Sequence, residues 1–395
     1  MRTHRGVGGN PDGAVADRVK ALLCELIAIP SDGGREEAAI RYLVERFAAQ
    51  NIPCRVTEVG CQPMNVVAEV GSGARTIVLN SHIDTVPPGD AALWNSDPLT
   101  PVEKDGLLYG RGATDAKGCL AAMIVAFEAL AVRRGGLPCR VVLMAVGGEE
   151  RGGLGTKAEV AGGIKADAAI VGEATGLIPM IAHKGVLRLE VEVTGNAAHA
   201  SDPEAGINAI SAMGPILVAM DGLAGNVRKR SEAYTGAASL VVSTISGGVA
   251  LNVIPPSCII SIDRRVLPTE TEADANGEIV QAVNRALPPA SKARVAVRKV
   301  RFVPPSSTDP NASIVAAAER AAAAVLGRPV QAVGFSATCD MTYLVNSAGI
   351  PTIILGPGSI EVAHQANECV SLDQVTQAVD VYTRTVEEWA RDGQG

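Results

Sequence analysis

Histidine and acidic side chains recur directly after apolar segments of this sequence, at the points where buried strands would end. Imidazole and carboxylate groups are the side chains that bind divalent metals and move protons in hydrolytic sites. Because open α/β sheets bind ligands beyond the carboxyl ends of their strands, we expect these side chains to lie close together. Together with an aspartate at the start of a predicted helix, the set is His82, Asp84, Asp115, Glu149, Glu150, Glu173 and His364.

The residue types in this set match a site for two divalent metal ions. Two metals about 3.5–4 Å apart need roughly three to four ligands each, with one carboxylate shared. Histidine and carboxylate ligands suit Zn²⁺, with Co²⁺ or Mn²⁺ as alternatives. A water between the metals would ionise near neutral pH and would need a carboxylate to take its proton. Two histidines, three carboxylate ligands and one free carboxylate are supplied by His82, His364, Asp115, Glu150, Glu173 and Glu149.

Asp84 has a different predicted role, since it lies two residues after His82 and residues i and i+2 share a face of an extended chain. We predict that Asp84 orients His82 and raises its basicity. Each residue also has an ordinary structural interpretation: His82 as a hydrogen-bonded loop residue, Glu149 in a solvated turn and Asp115 as a helix N-cap. The repetition at successive strand ends favours a functional site.

Length and composition limit the class of protein. At 395 residues the chain predicts two domains, and the net charge of −7 without a basic run argues against a nucleic-acid partner. No apolar segment reaches transmembrane length, and the N-terminus lacks the apolar region of a signal peptide, so we expect no membrane partner. The eight cysteines are scattered without a C-x-x-C pair, which favours a cytoplasmic protein.

Hydrophobic periodicity predicts an α/β fold in two parts. Helices are expected over about 16–50 (broken near 30–34), 114–134, 311–327 and from 372, with strands at 65–70, 77–79, 139–146, 167–171 and 351–356. The middle reads βαββαβ, with strands 186–194, 238–246, 257–265 and 293–302 and helices 204–225 and 271–287. We predict a discontinuous catalytic domain, 1–183 and 304–395, that carries an inserted domain, 184–303.

Five segments in order resemble the signatures of the M20 metallopeptidases: SHIDTVPPGD, DPLTPVEKDGLLYGRGATDAKG, GGEERGGLG, VGEATG and LGPGSIEVAHQANE. That family includes acetylornithine deacetylase, succinyl-diaminopimelate desuccinylase, aminoacylase and carboxypeptidase G. The resemblance implies a zinc-exopeptidase-like catalytic domain, in which helices flank a mixed sheet. It also implies that the inserted domain is a ferredoxin-like lid and dimerisation domain.

The resemblance assigns roles to the candidate site residues. Asp115 would bridge two metals and be joined to Ala116 by a cis peptide bond. Glu149 would act as general base and then as general acid. The remaining ligands would divide between the metals, one held by His82 and Glu173 and the other by Glu150 and His364.

Further segments resemble the substrate-binding parts of the family. GNAAHASDPEAGINAI resembles the lid segment whose histidine, here His199, polarises the scissile carbonyl from the partner subunit of a homodimer. GGVALNVIP and SIDRRVLP resemble segments that offer Asn252 and Arg265 to the substrate carboxylate. The GPGS turn from Gly356 to Ser359 could present backbone N–H groups to the same carboxylate. Each also has an ordinary structural interpretation: Asn252 as a turn residue, Arg265 as a surface charge and GPGS as a plain tight turn.

We therefore predict a metallohydrolase that cleaves the amide C–N bond of a small N-acylated amino acid with a free carboxylate, of acetylornithine deacetylase type. A desuccinylase, a carboxypeptidase or dipeptidase, and a hydrolase of an atypical C–N substrate are alternatives, because Cys339–Asp340 and Cys369 differ from common relatives. A binding protein without activity is disfavoured because every expected group is present. A structural metal protein is disfavoured because no cysteine joins the set.

Overall fold

The structure, a computed structural model, describes residues 11–133, 136–287 and 291–392. The first ten residues, part of the N-terminus for which we predict no signal peptide, lie outside this range. The described chain forms two compact units. The larger unit runs to Ile181 and includes Thr308–Val333 and the chain from Cys339 onward, and the smaller unit comprises Ala182–Ser307 and Gly334–Thr338. Their assignment as a catalytic domain and a lid domain stays a prediction.

The elements are numbered in chain order. The helices are α1 (Pro11–Ala28), α2 (Glu37–Ala49), α3 (Lys117–Ala131), α4 (Leu154–Ala161), α5 (Ala209–Val227), α6 (Glu272–Ala286), α7 (Ser313–Leu326), α8 (Met341–Asn346) and α9 (Leu372–Asp392). The strands are β1 (Cys54–Val59), β2 (Gln62–Val70), β3 (Thr76–His82), β4 (Val102–Lys104), β5 (Leu107–Tyr109), β6 (Arg140–Val146), β7 (Ala168–Val171), β8 (Met180–His183), β9 (Gly185–Thr194), β10 (Ser231–Glu232), β11 (Gly236–Ala237), β12 (Ser239–Gly247), β13 (Ser257–Val266), β14 (Arg294–Val303), β15 (Ser306–Ser307), β16 (Val333–Phe335), β17 (Thr352–Ile354) and β18 (Cys369–Ser371).

A mixed sheet forms the centre of the larger unit, with strands in the order β1, β2, β6, β3, β7 and β17. β1, β2 and β6 pair antiparallel, whereas β6, β3, β7 and β17 run parallel to one another. Every residue of β3 and β7 is buried, as expected for parallel strands covered on both faces. The carboxyl ends of four parallel strands therefore meet at one edge. The predicted mixed α/β fold is confirmed.

Helices α1, α3 and α9 pack together beside this sheet. α3 is apolar on all sides and buried along almost its whole length, which is typical of a central helix. Its one acidic residue, Glu128, is 2% exposed and accepts hydrogen bonds from Arg46 (2.6 and 2.9 Å), Arg18 (2.9 Å) and Gln50 (2.6 Å). This buried carboxylate ties α1, α2 and α3 together at a point remote in sequence from the candidate ligands.

The long predicted helix 16–50 is two helices, α1 and α2, and the break extends to Glu36 because Asp32 and Thr85 form an isolated bridge there. Sequence periodicity missed β1, α4, α8 and the three-stranded sheet β4–β5–β18. All of these elements are three to eight residues long, which is too short to display a clear period.

The smaller unit contains an antiparallel sheet in the order β12, β13, β9, β14, together with α5 and α6. The predicted order of strands and helices is observed, with the short pair β10–β11 added after α5. α5 begins at Ala209 rather than at 204, because Asn208 caps it by accepting hydrogen bonds from the N–H groups of Ile210 and Ser211. Alternate residues of β13 face the helices and form the core of this unit.

One described helix, α5, is long and apolar enough to cross a membrane by length and composition alone. Its buried residues Ala209, Met213, Ile216 and Met220 belong to the core of the smaller unit. A core helix of a folded domain meets the same length and composition test. The helix is therefore weak evidence for a membrane span.

We expect the buried His183, in the smaller unit, to make the free energy of unfolding depend on pH. Its side chain is fully buried, Nδ1 lies 2.9 Å from the Lys184 carbonyl oxygen, and burial lowers its pKa from 6.5 to about 4. The unfolded chain therefore binds a proton at His183 more tightly than the folded chain does. The stability that the neutral, buried His183 contributes is complete above pH 6.5 and is lost as the pH falls towards 4. Between pH 7 and pH 5 the wild-type chain should lose about 2 kcal/mol through this residue.

The measurement is the free energy of unfolding in urea at pH 7 and pH 5, for the wild-type chain and for His183→Leu. The variant should lack that part of the pH dependence even if its stability at pH 7 is lower. An equal pH difference in both chains would contradict the assignment.

Candidate metal centre

The candidate ligands lie where the parallel strands end. His82 is the last residue of β3, Glu149 and Glu150 form the turn after β6, and Glu173 follows β7 by two residues. Because β6, β3 and β7 are adjacent and parallel, these side chains enter the same region. Asp115 directly precedes α3, and His364 follows the turn after β17; both reach the same place.

Two groups of potential ligand atoms form there. His82 Nε2 lies 3.1 Å from Asp115 Oδ1 and 3.9 Å from Glu173 Oε1. His364 Nε2 lies 3.1 Å from Asp115 Oδ2 and 2.9 Å from Glu150 Oε1. In each group all potential ligand atoms lie within 4.8 Å of one another. Asp115 thus offers one oxygen to each group, and the division of the other four side chains is the one that the family resemblance implies.

The charges of the two groups fit divalent cations. Burial opposes protonation of His82, yet the carboxylates of Asp115 and Glu173 hold its pKa well above the usual value. Hydrogen bonds with Asp115 and Glu150 raise the pKa of His364 to about 10. Burial opposes ionisation of Asp115, but its hydrogen bonds with the two histidines lower its pKa. The imidazoles of His82 and His364 are therefore protonated beside these carboxylates, and bound metal ions would replace those protons.

Glu149 lies beside these groups without belonging to either. Burial, followed by the nearby carboxylate of Asp340, raises the pKa of Glu149 well above its usual value. A carboxyl group whose protonation responds to its neighbours is suited to proton transfer. Positive charge in the two groups would favour its ionised form.

Asp84 acts through a contact that we did not predict. The Asp84 carboxylate accepts hydrogen bonds from the backbone N–H groups of Glu149 and Glu150, each at 3.1 Å. His82 Nδ1 lies 2.8 Å from the backbone oxygen of Asp84 and 3.8 Å from its carboxylate. The predicted orientation of His82 therefore comes from the main chain of Asp84, because its side chain is engaged in holding the Glu149–Glu150 turn.

The turn that carries Asp115 has the cis peptide bond to Ala116 that the resemblance implies. Glu368, for which we predicted no role, accepts hydrogen bonds from the backbone N–H groups of Thr114 (2.9 Å) and Asp115 (3.0 Å). Glu368 lies four residues after His364, within the segment LGPGSIEVAHQANE that resembles the family. The sequence therefore pointed to the segment, but it did not reveal that Glu368 contacts the turn of Asp115.

A buried polar chain lies behind Glu149. Asn80 donates to Thr156 at 3.0 Å, and the Thr156 hydroxyl donates to Asp340 at 2.6 Å. Asp340 is 2% exposed, and burial raises its pKa to about 6. The neighbouring Cys339 is also buried. Cys339 and Asp340, which differ from common relatives, are thus buried next to the candidate base.

His199, Asn252 and Arg265 belong to the smaller unit. His199 is exposed, and its Nδ1 accepts a hydrogen bond from the Ser201 backbone N–H at 3.2 Å. The Asn252 carbonyl oxygen accepts from the Ala200 N–H, which places Asn252 next to the His199 segment. Arg265 Nε lies 2.8 Å from Asp263. Their roles towards substrate stay predictions.

The GPGS turn differs from the prediction at its first residue. The Gly356 N–H donates to the Thr175 hydroxyl at 3.1 Å, and the Gly358 N–H donates to Gln374 at 2.9 Å. Gly356 is therefore engaged within the protein, which argues against a contact with substrate. Ser359 is exposed and helps to line a cavity of about 410 Å³ together with Cys369.

Comparisons with known proteins identify the family of the chain. Residues 78–388 match the model of peptidase family M20/M25/M40. The chain is 34% identical over 363 residues to the acetylornithine deacetylase of Shigella sonnei (strain Ss046), covering 87% of this chain and 90% of that protein. The chain therefore belongs to the M20 peptidase family. It is a hydrolase that acts on C–N bonds.

Solved structures share the fold. The M20 family metallo-carboxypeptidase Sso-CP2 from Sulfolobus solfataricus has a TM-score of 0.80 at 20% identity, over 95% of this chain and 100% of that chain. The YXEP protein of Bacillus subtilis, described as a dinuclear metal binding peptidase, has a TM-score of 0.73 at 17% identity, over 95% and 98% of the two chains. At these identities the likeness concerns the fold.

Proposed function

We propose that this chain hydrolyses the amide C–N bond of a small N-acylated amino acid that carries a free carboxylate. One observation carries the proposal: Asp115 belongs to both groups of candidate ligands, while the adjacent Glu149 belongs to neither. Shared ligands with a free carboxylate beside them are the parts that metal-assisted hydrolysis needs. The 34% identity to an acetylornithine deacetylase supports the deacylase subclass.

Two divalent metal ions per chain are part of this proposal, with Zn²⁺ preferred and Co²⁺ or Mn²⁺ as alternatives. His82 and Glu173 would hold one, Glu150 and His364 would hold the other, and Asp115 would bind both. When bound, the metals would polarise the amide oxygen and make water acidic near neutral pH. The nitrogen and oxygen donors of the two groups support this, as does the dinuclear description of the Bacillus subtilis relative.

Glu149 would take the proton of the attacking water and later deliver it to the leaving amine nitrogen. Its position is supported by the Asp84 carboxylate, which holds the backbone of the turn. A base must be ionised, and the carboxylate of Asp340 raises the pKa of Glu149. Positively charged metal ions in the two ligand groups would lower that pKa again and favour the carboxylate form.

His199 would donate a hydrogen bond to the carbonyl oxygen as negative charge develops there. Because its Nδ1 accepts from Ser201, the proton of the neutral ring resides on Nε2, which is the tautomer that a donor needs. Arg265 would pair with the substrate carboxylate through its planar fork, with Asn252 as a neutral donor. Ser359 would line the substrate cavity.

The test of the proposed substrate class is a panel assay for released amine. The purified chain, reloaded separately with Zn²⁺, Co²⁺ and Mn²⁺, would be offered N-acetylornithine, other N-acetyl-amino acids, N-succinyl-diaminopimelate and simple dipeptides. The proposal expects the highest kcat/KM among the N-acetyl-amino acids. A dipeptide as best substrate would overturn the deacylase subclass and keep the reaction, and the succinyl compound as best substrate would replace the acetylornithine deacetylase type by a desuccinylase.

We also propose a homodimer formed through the inserted domain, in a cytoplasmic protein. β12 is an edge strand whose Val241 and Ile245 are 53% and 56% exposed, and Val218 on α5 is 72% exposed. Exposed apolar side chains along an edge strand favour pairing with a second copy. The eight unpaired cysteines support a reducing location.

Mixing two inactive variants tests whether His199 acts on the partner subunit's substrate. Glu149→Gln and His199→Ala chains would be unfolded together, refolded and assayed. If His199 acts in trans, each mixed dimer has one intact site, so activity should return to roughly a quarter of wild type. Separately refolded chains are the control. No recovery, or a monomer in sedimentation, would contradict the proposal.

A further inference from the structure

Glu368 is joined to the turn of Asp115 by four hydrogen bonds. Its Oε1 accepts from the backbone N–H groups of Thr114 and Asp115, and its Oε2 accepts from Arg111 Nη1 at 2.5 Å. Its own carbonyl oxygen accepts from the Gly110 N–H at 3.0 Å. The side chain is completely buried, so no water competes for these donors. The carboxylate thus fixes the backbone of a turn 254 residues earlier in the chain.

The position of this contact matters because Asp115 belongs to both ligand groups. A small rotation of its backbone would move Oδ1 and Oδ2 together, and so would change both groups at once. Glu368 also lies on the segment that carries His364, four residues further on. The hydrogen bonds from the Thr114 and Asp115 N–H groups to the Glu368 carboxylate therefore link the segment of Asp115 to the segment of His364. Groups that orient metal ligands in this way typically change metal affinity or activity about 10- to 100-fold when removed.

We propose that Glu368 is a positioning residue for the metal centre, and that its two bonds to the Thr114 and Asp115 N–H groups set the geometry of the shared ligand. The inference rests on the proposed metal function of Asp115. The alternative is a buried ion pair with Arg111 that stabilises the fold and leaves metal binding unaffected. Glu128 is the internal comparison, since it is an equally buried carboxylate that bonds to arginine and glutamine side chains away from the ligands.

Two variants separate the positioning bonds from the ion pair. Arg111→Met removes the ion pair and leaves both bonds from Glu368 to the backbone. Arg111→Met combined with Glu368→Met removes the ion pair and both bonds, without leaving a buried guanidinium unpaired. Glu128→Gln is the control for a general loss of stability. Each metal-free chain would be titrated with Co²⁺, which reports affinity and ligand geometry through its visible absorption.

We expect Arg111→Met and Glu128→Gln to bind Co²⁺ within about threefold of wild type, and the double variant to bind about 10- to 100-fold more weakly with an altered spectrum. Equal Co²⁺ binding by the double variant and Arg111→Met would overturn the proposal. If the double variant does not fold, Arg111→Met combined with Glu368→Ala is titrated instead, with the same two outcomes, because alanine also offers no acceptor to the Thr114 and Asp115 N–H groups. A wild-type chain that binds no Co²⁺ would instead reject the metal centre itself.

Discussion

Glu149→Gln is expected to abolish hydrolysis while the chain keeps its metals. The glutamine side chain has nearly the same size but cannot accept the proton of water, and removal of a general base typically costs about 10²- to 10⁴-fold in rate. Because Glu149 lies outside both ligand groups, metal content should not change. The measurement combines kcat on the best substrate with metal content per chain.

Glu150→Gln is the matched control, since it changes the adjacent residue of the same turn. Glu150 Oε1 lies 2.9 Å from His364 Nε2 in a ligand group, so this variant should lose metal as well as activity. If Glu149→Gln retained full kcat, or if it lost metal as Glu150→Gln does, the assignment of Glu149 as base would be wrong.

Asp115→Asn is expected to disrupt both metal positions at once. The amide leaves one oxygen where two are needed, and it puts an NH₂ group against one of the histidines. We expect metal affinity to fall by at least about 100-fold, the upper end for groups that merely orient ligands. Activity should fall to background, and excess metal in the assay should not restore it.

Equilibrium dialysis of the metal-free variant against Zn²⁺ measures this effect. Asp167→Asn is the control, because Asp167 accepts the Thr76 N–H at the opposite end of β3 and should leave metal binding unchanged. One tightly bound metal remaining in Asp115→Asn would contradict the expected loss of both positions, and two would show that Asp115 is not a ligand.

The candidate ligands were predictable because their positions follow from strand ends. Parallel strands bring their carboxyl ends to one edge, so apolar runs followed by His82, Glu150 and Glu173 were enough to predict that these side chains meet. The division into two groups came from family resemblance, since spacing alone does not say which carboxylate is shared.

Other features depend on contacts that sequence spacing does not reveal. Asp84 was predicted to use its carboxylate on His82, but an i, i+2 relationship does not tell a side-chain oxygen from a backbone oxygen. Glu368 meets Thr114 across 254 residues, and Asp340 meets Thr156 across 184. The Gly356 N–H is not free for a substrate, as it was predicted to be, because the hydroxyl of Thr175 accepts it across 181 residues of sequence.

The most direct test of metal-dependent C–N hydrolysis is amine release from N-acetylornithine by one preparation of the chain, first stripped of metal by a chelator and then reloaded stepwise with Zn²⁺ or Co²⁺. We predict no turnover in the stripped protein, and turnover that rises with loading and levels off at two metals per chain. Full turnover by the stripped protein with chelator present would contradict it.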